Sequence, residues 1–291
     1  MKKKQYAAER YEAIYDQDGR DENLDAISHP SVKDYRNKEQ FCGDILENDL
    51  CARYVSKSQA SAAKAAMREQ SPETIEKRNN HNAERRIEQL LNTNFTTGDY
   101  AMYLTFRREP KGWEEAHKAL EWYIKELRKR FKKVGKPLIY LYVYECADKD
   151  GEPVRQHFHI FINGGIDRDV AEDIWRKKYG KANGTRLEQD EYGLTGFGCY
   201  VLKAPRGVKN LRRWAGSQNL HEPDVTRRTR LPGGQRITKK LMLDMISGKK
   251  DIKEVFERAY KGYIFIDART KYSQYASGVY LYVRMRKIKR E

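Results

Sequence analysis

The chain has few cysteines for its length and no long apolar run. Its four cysteines lie far apart with no CxxC spacing, which argues against a zinc ribbon or a disulfide framework; they are Cys42, Cys51, Cys146 and Cys199. No stretch is apolar enough to span a bilayer, and the basic start at Met1–Lys4 leads into charged sequence rather than a signal peptide. We therefore expect a cytoplasmic protein with reduced thiols.

A nucleotide-binding P-loop is also missing. The pattern GxxxxGK[ST] does not occur, and "SGKK" at Ser247–Lys250 lacks both the upstream glycine and the terminal hydroxyl residue. The sequence also has no internal repeat and no low-complexity tract. These absences argue against an ATP-driven motor of the P-loop type and against a repeat protein.

Cations are abundant. The 291 residues include 58 Lys and Arg against 42 Asp and Glu, a formal charge of +16. Such an excess favours a polyanionic partner, because neutralising phosphates releases counterions. The 20 tyrosines often lie beside cations, as in "YLYVRMRKIKR", and interleaved rings and cations suit single-stranded nucleic acid. The alternatives are a merely soluble basic surface and tyrosines that pack in strands.

The sequence divides near residue 80. Residues 1–80 are polar and helix-prone, with "SQASAAKAAMREQ" as the clearest helical piece, and we predict a helical N-terminal arm of unknown role. A second helix is predicted to begin at Ser71, where Ser-Pro-Glu is typical of a helix N-terminus. Residues 81–291 are predicted to form the main domain.

From Tyr100 the pattern alternates between strands and helices. Strands are predicted for "YAMYLTF", "PLIYLYVYEC" and "HFHIFING", with helices after the first and third. Gly135 is a predicted C-terminal cap and Asp167 a predicted N-terminal cap. One further helix over "TKKLMLDMISGKKDIKEVFERAYKG" precedes two strands, around "YIFIDA" and "GVYLYVRMRKI". This order predicts an α+β fold in which helices flank a mainly antiparallel sheet.

Two histidines share one face of the third predicted strand. Side chains at i and i+2 of a strand project together, so His157 and His159 point the same way and Phe158 points into the core. The preceding strand ends near Glu145, which a hairpin would bring beside them. Two imidazoles and a carboxylate with open positions suit Mg²⁺ or Mn²⁺. Asp148, Asp150 and Glu152 are alternative acidic ligands, and exposed polar histidines are the alternative to a metal site.

A tyrosine and a lysine follow at helical spacing. "GFGCYVLKAP" predicts a short helix stopped by Pro205, with Tyr200 and Lys203 on one face. Phosphoryl transfer needs positioning and charge compensation, and a metal and a nearby lysine would let a phenol attack a phosphodiester. The alternative is a packed tyrosine with a surface lysine.

Three ordered motifs carry a family resemblance. "YLTF" (103–106), "QHFHIFI" (156–162) and "YVLK" (200–203) resemble the motifs of HUH-type rolling-circle replication initiators, the Rep endonucleases of small single-stranded DNA phages and plasmids. The resemblance covers roughly Asn80 to the C-terminus. It implies a ferredoxin-like replication-initiator sheet with flanking helices.

The resemblance also implies residue roles. His157 and His159 would be metal ligands, with Glu145 as the third, and the metal would be Mg²⁺ or Mn²⁺. Tyr200 would nick single-stranded origin DNA and keep the 5′ side as a phosphotyrosine, while Lys203 orients the phosphate or metal. The released 3′-hydroxyl would serve a host polymerase, and a separate host helicase or supercoiling would supply unwinding.

Tyr200 is expected to be the single nucleophile. Tyr192 lies two helical turns earlier, but the intervening Gly193, Gly196 and Gly198 argue against a continuous helix. One tyrosine cannot hold a DNA end while attacking a second site, so either a second protomer or the released 3′-hydroxyl must act. We expect a transient homodimer at the origin.

Other functional classes stay open. A transposase or relaxase of a mobile element would use the same chemistry. A non-catalytic basic protein that binds single-stranded DNA would use only the cationic surface. The basic stretch "VTRRTRLPGGQRITKK" is either a clamp for a DNA strand or a solvated face.

Overall fold

The computed structural model describes residues 25–66, 72–147, 152–196, 198, 214–272 and 278–288. The chain forms two compact units. The first takes its described residues from 25–89, 191–193 and 223–288, and the second takes them from 90–190 and 194–222. Each unit contains one antiparallel five-stranded sheet, which confirms the predicted α+β class.

In chain order, the elements are β1 (Val32–Cys42), β2 (Ile45–Tyr54), α1 (Lys57–Ala66), α2 (Pro72–Asn94), β3 (Tyr100–Thr105), α3 (Trp113–Lys133), β4 (Tyr140–Ala147), β5 (Pro153–Ile162), α4 (Arg168–Lys178), β6 (Ala182–Arg186), β7 (Trp214–Gly216), β8 (Asp224–Arg228), α5 (Lys239–Ile246), α6 (Ile252–Ala259), β9 (Tyr263–Tyr272) and β10 (Val279–Lys287).

The second unit follows the order β3-α3-β4-β5-α4-β6, with β7 added at one edge of its sheet. The strands lie in the order β6-β3-β5-β4-β7, so β3 and β5 are neighbours inside the sheet. Side chains alternate along β5, and Phe158, Ile160 and Ile162 are buried in a core that includes residues of α3 and α4, among them Phe131 and Trp175. This packing leaves the opposite face of β5 to the histidines.

The two predicted caps of this unit are present. Asp167 accepts a hydrogen bond from the backbone N–H of Asp169 at 2.7 Å and so caps α4. Gly135 follows α3 with a φ of 68°, a conformation in which a side chain would be strained. Local chemistry thus determines where α4 begins and where α3 ends.

The first unit has the strand order β8-β1-β2-β10-β9. Its apolar core includes Leu50 and Leu281 from the strands, Met242 from α5 and Phe256 from α6. The single helix predicted here was wrong, because α5 and α6 are separate helices. Gly248 adopts a φ of 78° after α5, and the Asp251 side chain accepts from the N–H of Lys253 to begin α6.

The predicted helical N-terminal arm was wrong for residues 32–54. β1 and β2 form a hairpin and lie inside the first sheet, whereas α1 and α2 confirm the two predicted helices. The strands were hidden because several of their core positions are polar. Nδ2 of Asn37 donates to Asn48 at 2.6 Å and to the hydroxyl of Tyr260 at 2.8 Å, and that hydroxyl donates to buried Glu39 at 2.7 Å. These polar groups are therefore hydrogen-bonded to one another inside the fold.

The domain division also differs from the expected one. Residues 81–291 do not form one domain with an arm before it, because β1 and β2 join β8, β9 and β10 in one sheet. Long-range strand pairing of this kind leaves no local signal in the sequence.

Two smaller observations concern composition. Among the described residues, Cys42, Cys51 and Cys146 form no disulfide. No described helix combines the length and the apolar character needed to cross a membrane.

Candidate metal centre

The two histidines and Glu145 meet on adjacent strands of the second unit. In the antiparallel pairing of β4 with β5, Glu145 lies opposite His157, and Val143 lies opposite His159. Directly opposed residues of neighbouring strands point to the same face. The predicted hairpin therefore brings the carboxylate beside both imidazoles, as the sequence suggested.

The three side chains converge on one point. The Glu145 Oε2 atom lies 2.6 Å from Nε2 of His157 and 3.1 Å from Nε2 of His159. All three ligand atoms lie within 4.8 Å of one another, and no other group of described residues meets this geometry. The cluster could hold a metal ion.

The three groups are largely screened from water. The exposed fractions of the side chains are 9% for His157, 11% for His159 and 15% for Glu145. Burial acts to raise the pKa of Glu145, but hydrogen bonds from the two histidines outweigh it and lower the pKa to about 2. Burial also lowers the pKa of His159, which favours its neutral form. An ionised carboxylate and a neutral imidazole are the forms that bind cations.

The backbone orients one of the rings. Nδ1 of His157 lies 2.7 Å from the carbonyl oxygen of Arg155, so Nδ1–H donates there and Nε2 faces Glu145. This arrangement is the usual way in which a second hydrogen bond fixes the tautomer of a ligating histidine. A cation at the cluster would take the place of the proton that His157 shares with Glu145, so the donor set fits a bound metal.

Tyr103 is a neighbour that sequence reasoning did not single out as a site residue. It lies opposite His159 on β3, and its ring centroid is 4.7 Å from that of His157 and 5.1 Å from that of His159. Its exposed fraction is 39%, high for a tyrosine on an inner strand. The position of "YLTF" one strand away from "HFHIFI" is a signal that could have identified it.

Of the other predicted ligands and catalytic residues, only Glu152 lies among the described residues. Glu152 is exposed and lies outside the cluster of described residues, which leaves Glu145 as the acidic member. Asp148, Asp150, Tyr200 and Lys203 lie outside the described residues.

The chain just before Tyr200 is anchored to the end of α2. The Leu194 N–H donates to Oδ1 of Asn92 at 2.7 Å, and Nδ2 of Asn92 donates to the Thr195 hydroxyl at 3.3 Å. Phe95 follows α2, and its ring lies 6.2 Å from that of Phe161. Phe161 is two residues beyond His159 and therefore projects from the same face of β5.

Comparisons with protein-family models, with curated proteins and with solved structures return no match.

Proposed function

We propose that the chain is a metal-dependent endonuclease of the HUH rolling-circle type, which nicks and rejoins single-stranded DNA at a replication origin. The convergence of Glu145, His157 and His159 on the face of an antiparallel sheet that points away from α3 and α4 carries this proposal. The formal charge of +16 supports a nucleic-acid substrate.

The topology of the second unit supports a ferredoxin-like sheet. Its βαββαβ order, with β3 and β5 side by side and β6 and β4 outside them, is the arrangement expected of a split βαβ fold. α3 and α4 bury one face of the sheet, and the metal cluster lies on the other face. We assign this face to DNA.

The ligand set supports a hard divalent cation. A carboxylate favours Mg²⁺ or Mn²⁺, and two imidazoles shift the preference towards Mn²⁺. His157, His159 and Glu145 would hold the ion and leave coordination positions for phosphate oxygens. When bound, the ion would supply charge compensation at the scissile phosphate.

Tyr200 is the proposed nucleophile. Its phenolic oxygen attacks the phosphorus atom, the bond from phosphorus to the 3′ oxygen breaks, and that oxygen leaves with a proton as a 3′-hydroxyl. The phosphate stays on Tyr200 as a 5′-phosphotyrosine, so the energy of the broken bond is retained for rejoining. Lys203, one helical turn away in the predicted helix, offsets charge on the phosphate.

The anchored segment before Tyr200 supports this role. Tyr200 is the fifth residue after Thr195, and extended chain covers about 17 Å over that distance. Asn92 holds Leu194 and Thr195, and Phe95 contacts the histidine-bearing face of β5, so the segment that leads to Tyr200 begins near that face.

Replication adds partners to the proposal. A host polymerase would extend the 3′-hydroxyl, and a host helicase would open the duplex, since the sequence has no P-loop. With one nucleophile, rejoining at the end of a replication round uses either a second copy of the chain or the released 3′-hydroxyl, and we propose a transient homodimer at the origin.

The decisive experiment is detection of a covalent adduct. The protein is incubated with labelled single-stranded origin DNA and Mn²⁺ and then run on a denaturing gel. We expect an adduct that EDTA prevents and that Tyr200→Phe abolishes, while Tyr192→Phe, the matched control, retains it.

Other outcomes point to other functions. An adduct that persists in Tyr200→Phe and is lost in Tyr192→Phe would move the nucleophile. Salt-sensitive DNA binding without an adduct on any single-stranded DNA would indicate a non-catalytic binding protein. Cutting at the ends of a mobile element, rather than at an origin, would indicate a transposase or relaxase.

A further inference from the structure

The first unit has a polar sheet face of its own, opposite the face that α5 and α6 bury. The antiparallel register places side chains of all five strands in rows across this face. The first row begins at Arg227 on the edge strand and continues through Lys38, Asp49 and Tyr282 to Arg269 on the other edge. It contains three cations and one carboxylate.

The next row continues the same surface without an acidic group. Arg36 lies opposite Cys51, and its Nε donates to the sulfur at 3.4 Å, while Tyr280 lies opposite Lys271. Burial raises the pKa of Tyr280, and the positive charge of Arg36 opposes that shift. Arg36 and Lys271 are exposed and Tyr280 is half-buried.

The third row has the opposite charge balance. It contains Glu47 and Asp267 on either side of Arg284 and so carries more acid than base. Charge therefore changes along the strands, from this acidic row to a cationic end where five cations face one carboxylate. We call that end the cationic face; its cations are Arg36, Lys38, Arg227, Arg269 and Lys271.

Two tyrosines lie among these cations. The rings of Tyr280 and Tyr282 are stacked, with centroids 6.4 Å apart and an interplanar angle of 16°. The guanidinium of Arg85 lies 5.4 Å from the centroid of the Tyr282 ring. Tyr280 belongs to the same row as Arg36 and Lys271, so its ring is the one nearer these exposed cations. An aromatic ring flanked by cations on a sheet is the combination that binds unpaired bases and their phosphates. Bases stacked inside a duplex cannot reach such a ring.

We propose that the cationic face of the first unit binds single-stranded nucleic acid, with phosphates on Arg36, Arg227 and Lys271 and a base on Tyr280. This surface is separate from the residues of the metal cluster. The proposal does not depend on whether the chain cuts DNA, and it gives the unit that contains the N-terminal strands a role in substrate binding.

The test measures binding by the full chain in EDTA, where metal-dependent cleavage is prevented. Fluorescence anisotropy is recorded with a labelled single-stranded DNA, a single-stranded RNA of the same sequence and the duplex, over a range of salt. The test variant combines R36E, R227E and K271E. Its matched control combines K118E, K249E and K253E, three exposed lysines outside this face with the same change in charge.

We expect the test variant to bind single strands more weakly than the control. The slope of log affinity against log salt should fall by about 0.7 for each phosphate that is no longer neutralised, or about 2 in total. Tyr280→Ala should bind about tenfold more weakly and Tyr280→Phe should bind normally, because stacking needs the ring and not the hydroxyl. A stronger effect on RNA than on DNA, or the reverse, would identify the kind of strand and support the proposal in either case.

Two results would overturn the proposal. If the control lowers affinity and salt slope as much as the test variant, binding follows net charge and not this face. If Tyr280→Ala has no effect and the duplex binds as tightly as the single strand, no base lies on the tyrosine. Thermal melts of each variant exclude loss of folding as the cause.

Discussion

The two sheets each bury a carboxylate on the face away from their core helices, but they neutralise it in different ways. In the first sheet, Glu47 accepts hydrogen bonds from Arg85 at 2.7 Å and from Gln89 at 2.8 Å, and Arg284 lies 3.8 Å away. In the second sheet, the partners of Glu145 are two imidazoles. Guanidinium groups stay protonated, whereas an imidazole can lose its proton and bind a cation in its place.

This difference separates a structural cluster from a chemical one. Burial lowers the pKa of Arg284 to about 9, which still leaves it charged at neutral pH, so the Glu47 cluster is a fixed ion-pair network. The Glu145 cluster also contains a largely screened glutamate, but the partners of that glutamate are groups that can bind a metal. The partner of a buried carboxylate, rather than the carboxylate itself, indicates where chemistry is expected.

The largest effect is expected at Glu47. Glu47→Ala removes the acid beside Arg85 and Arg284, and loss of one partner of a buried ion pair typically costs about 3–5 kcal/mol. Urea unfolding should show this loss in the free energy of unfolding. Glu145→Ala should cost less, because the two histidines it leaves can become neutral. Equal losses for the two variants would remove the distinction between the clusters.

The next effect concerns metal affinity. His159→Ala removes a ligand, and since outer-shell partners alone change metal affinity by about 10–100-fold, we expect at least a ~100-fold loss. Calorimetric titration with Mn²⁺ measures it. His29→Ala, which removes an exposed histidine from the first unit, should bind Mn²⁺ normally. Unchanged affinity in His159→Ala would show that Mn²⁺ binds elsewhere.

The polar face of the first sheet should also give a pH dependence. Burial raises the pKa of Asp267 to about 6, with Arg269 opposing the shift. The folded state therefore holds this proton more tightly than the unfolded state does, so the contribution of Asp267 to stability is greatest below pH ~4 and falls as pH rises through ~6. The full shift corresponds to at most ~3 kcal/mol, and we expect about 2 because the group is partly exposed.

Asp267→Asn tests this dependence. The variant should unfold at a higher urea concentration than the parent at pH 7, and the gain should disappear at pH 4. A gain of equal size at both pH values would mean that folding does not raise the pKa of Asp267.

The smallest effect is expected at Tyr103. Its ring contacts both imidazoles, so Tyr103→Ala should loosen them and weaken Mn²⁺ binding by up to about tenfold. Tyr103→Phe keeps the ring and should bind normally. A loss in the phenylalanine variant equal to that in the alanine variant would assign the effect to the hydroxyl instead.

Features that depend on residues close in sequence were predictable, whereas features that depend on distant residues were not. The caps at Asp167 and Gly135, the strands β3, β4 and β5 and the shared face of His157 and His159 depend on residues close in sequence, and the sequence indicated them, whereas β6 and β7 were not predicted. Glu145 was also within reach because one hairpin joins it to His157. β1 and β2 were missed because polar Asn37, Glu39 and Asn48 occupy core positions there, where they break the apolar alternation that marks a strand.

The sequence by itself determined the α+β class, the placement of two imidazoles on one side of a strand and the cationic character of the chain. Each follows from local backbone geometry or from simple counting. Only the tertiary structure decided that β1 and β2 pair with strands about 180 to 240 residues later, that Tyr103 lies against both histidines and that the first sheet separates acidic from cationic rows. Those features depend on strand register, which is set when distant segments bury their apolar faces together.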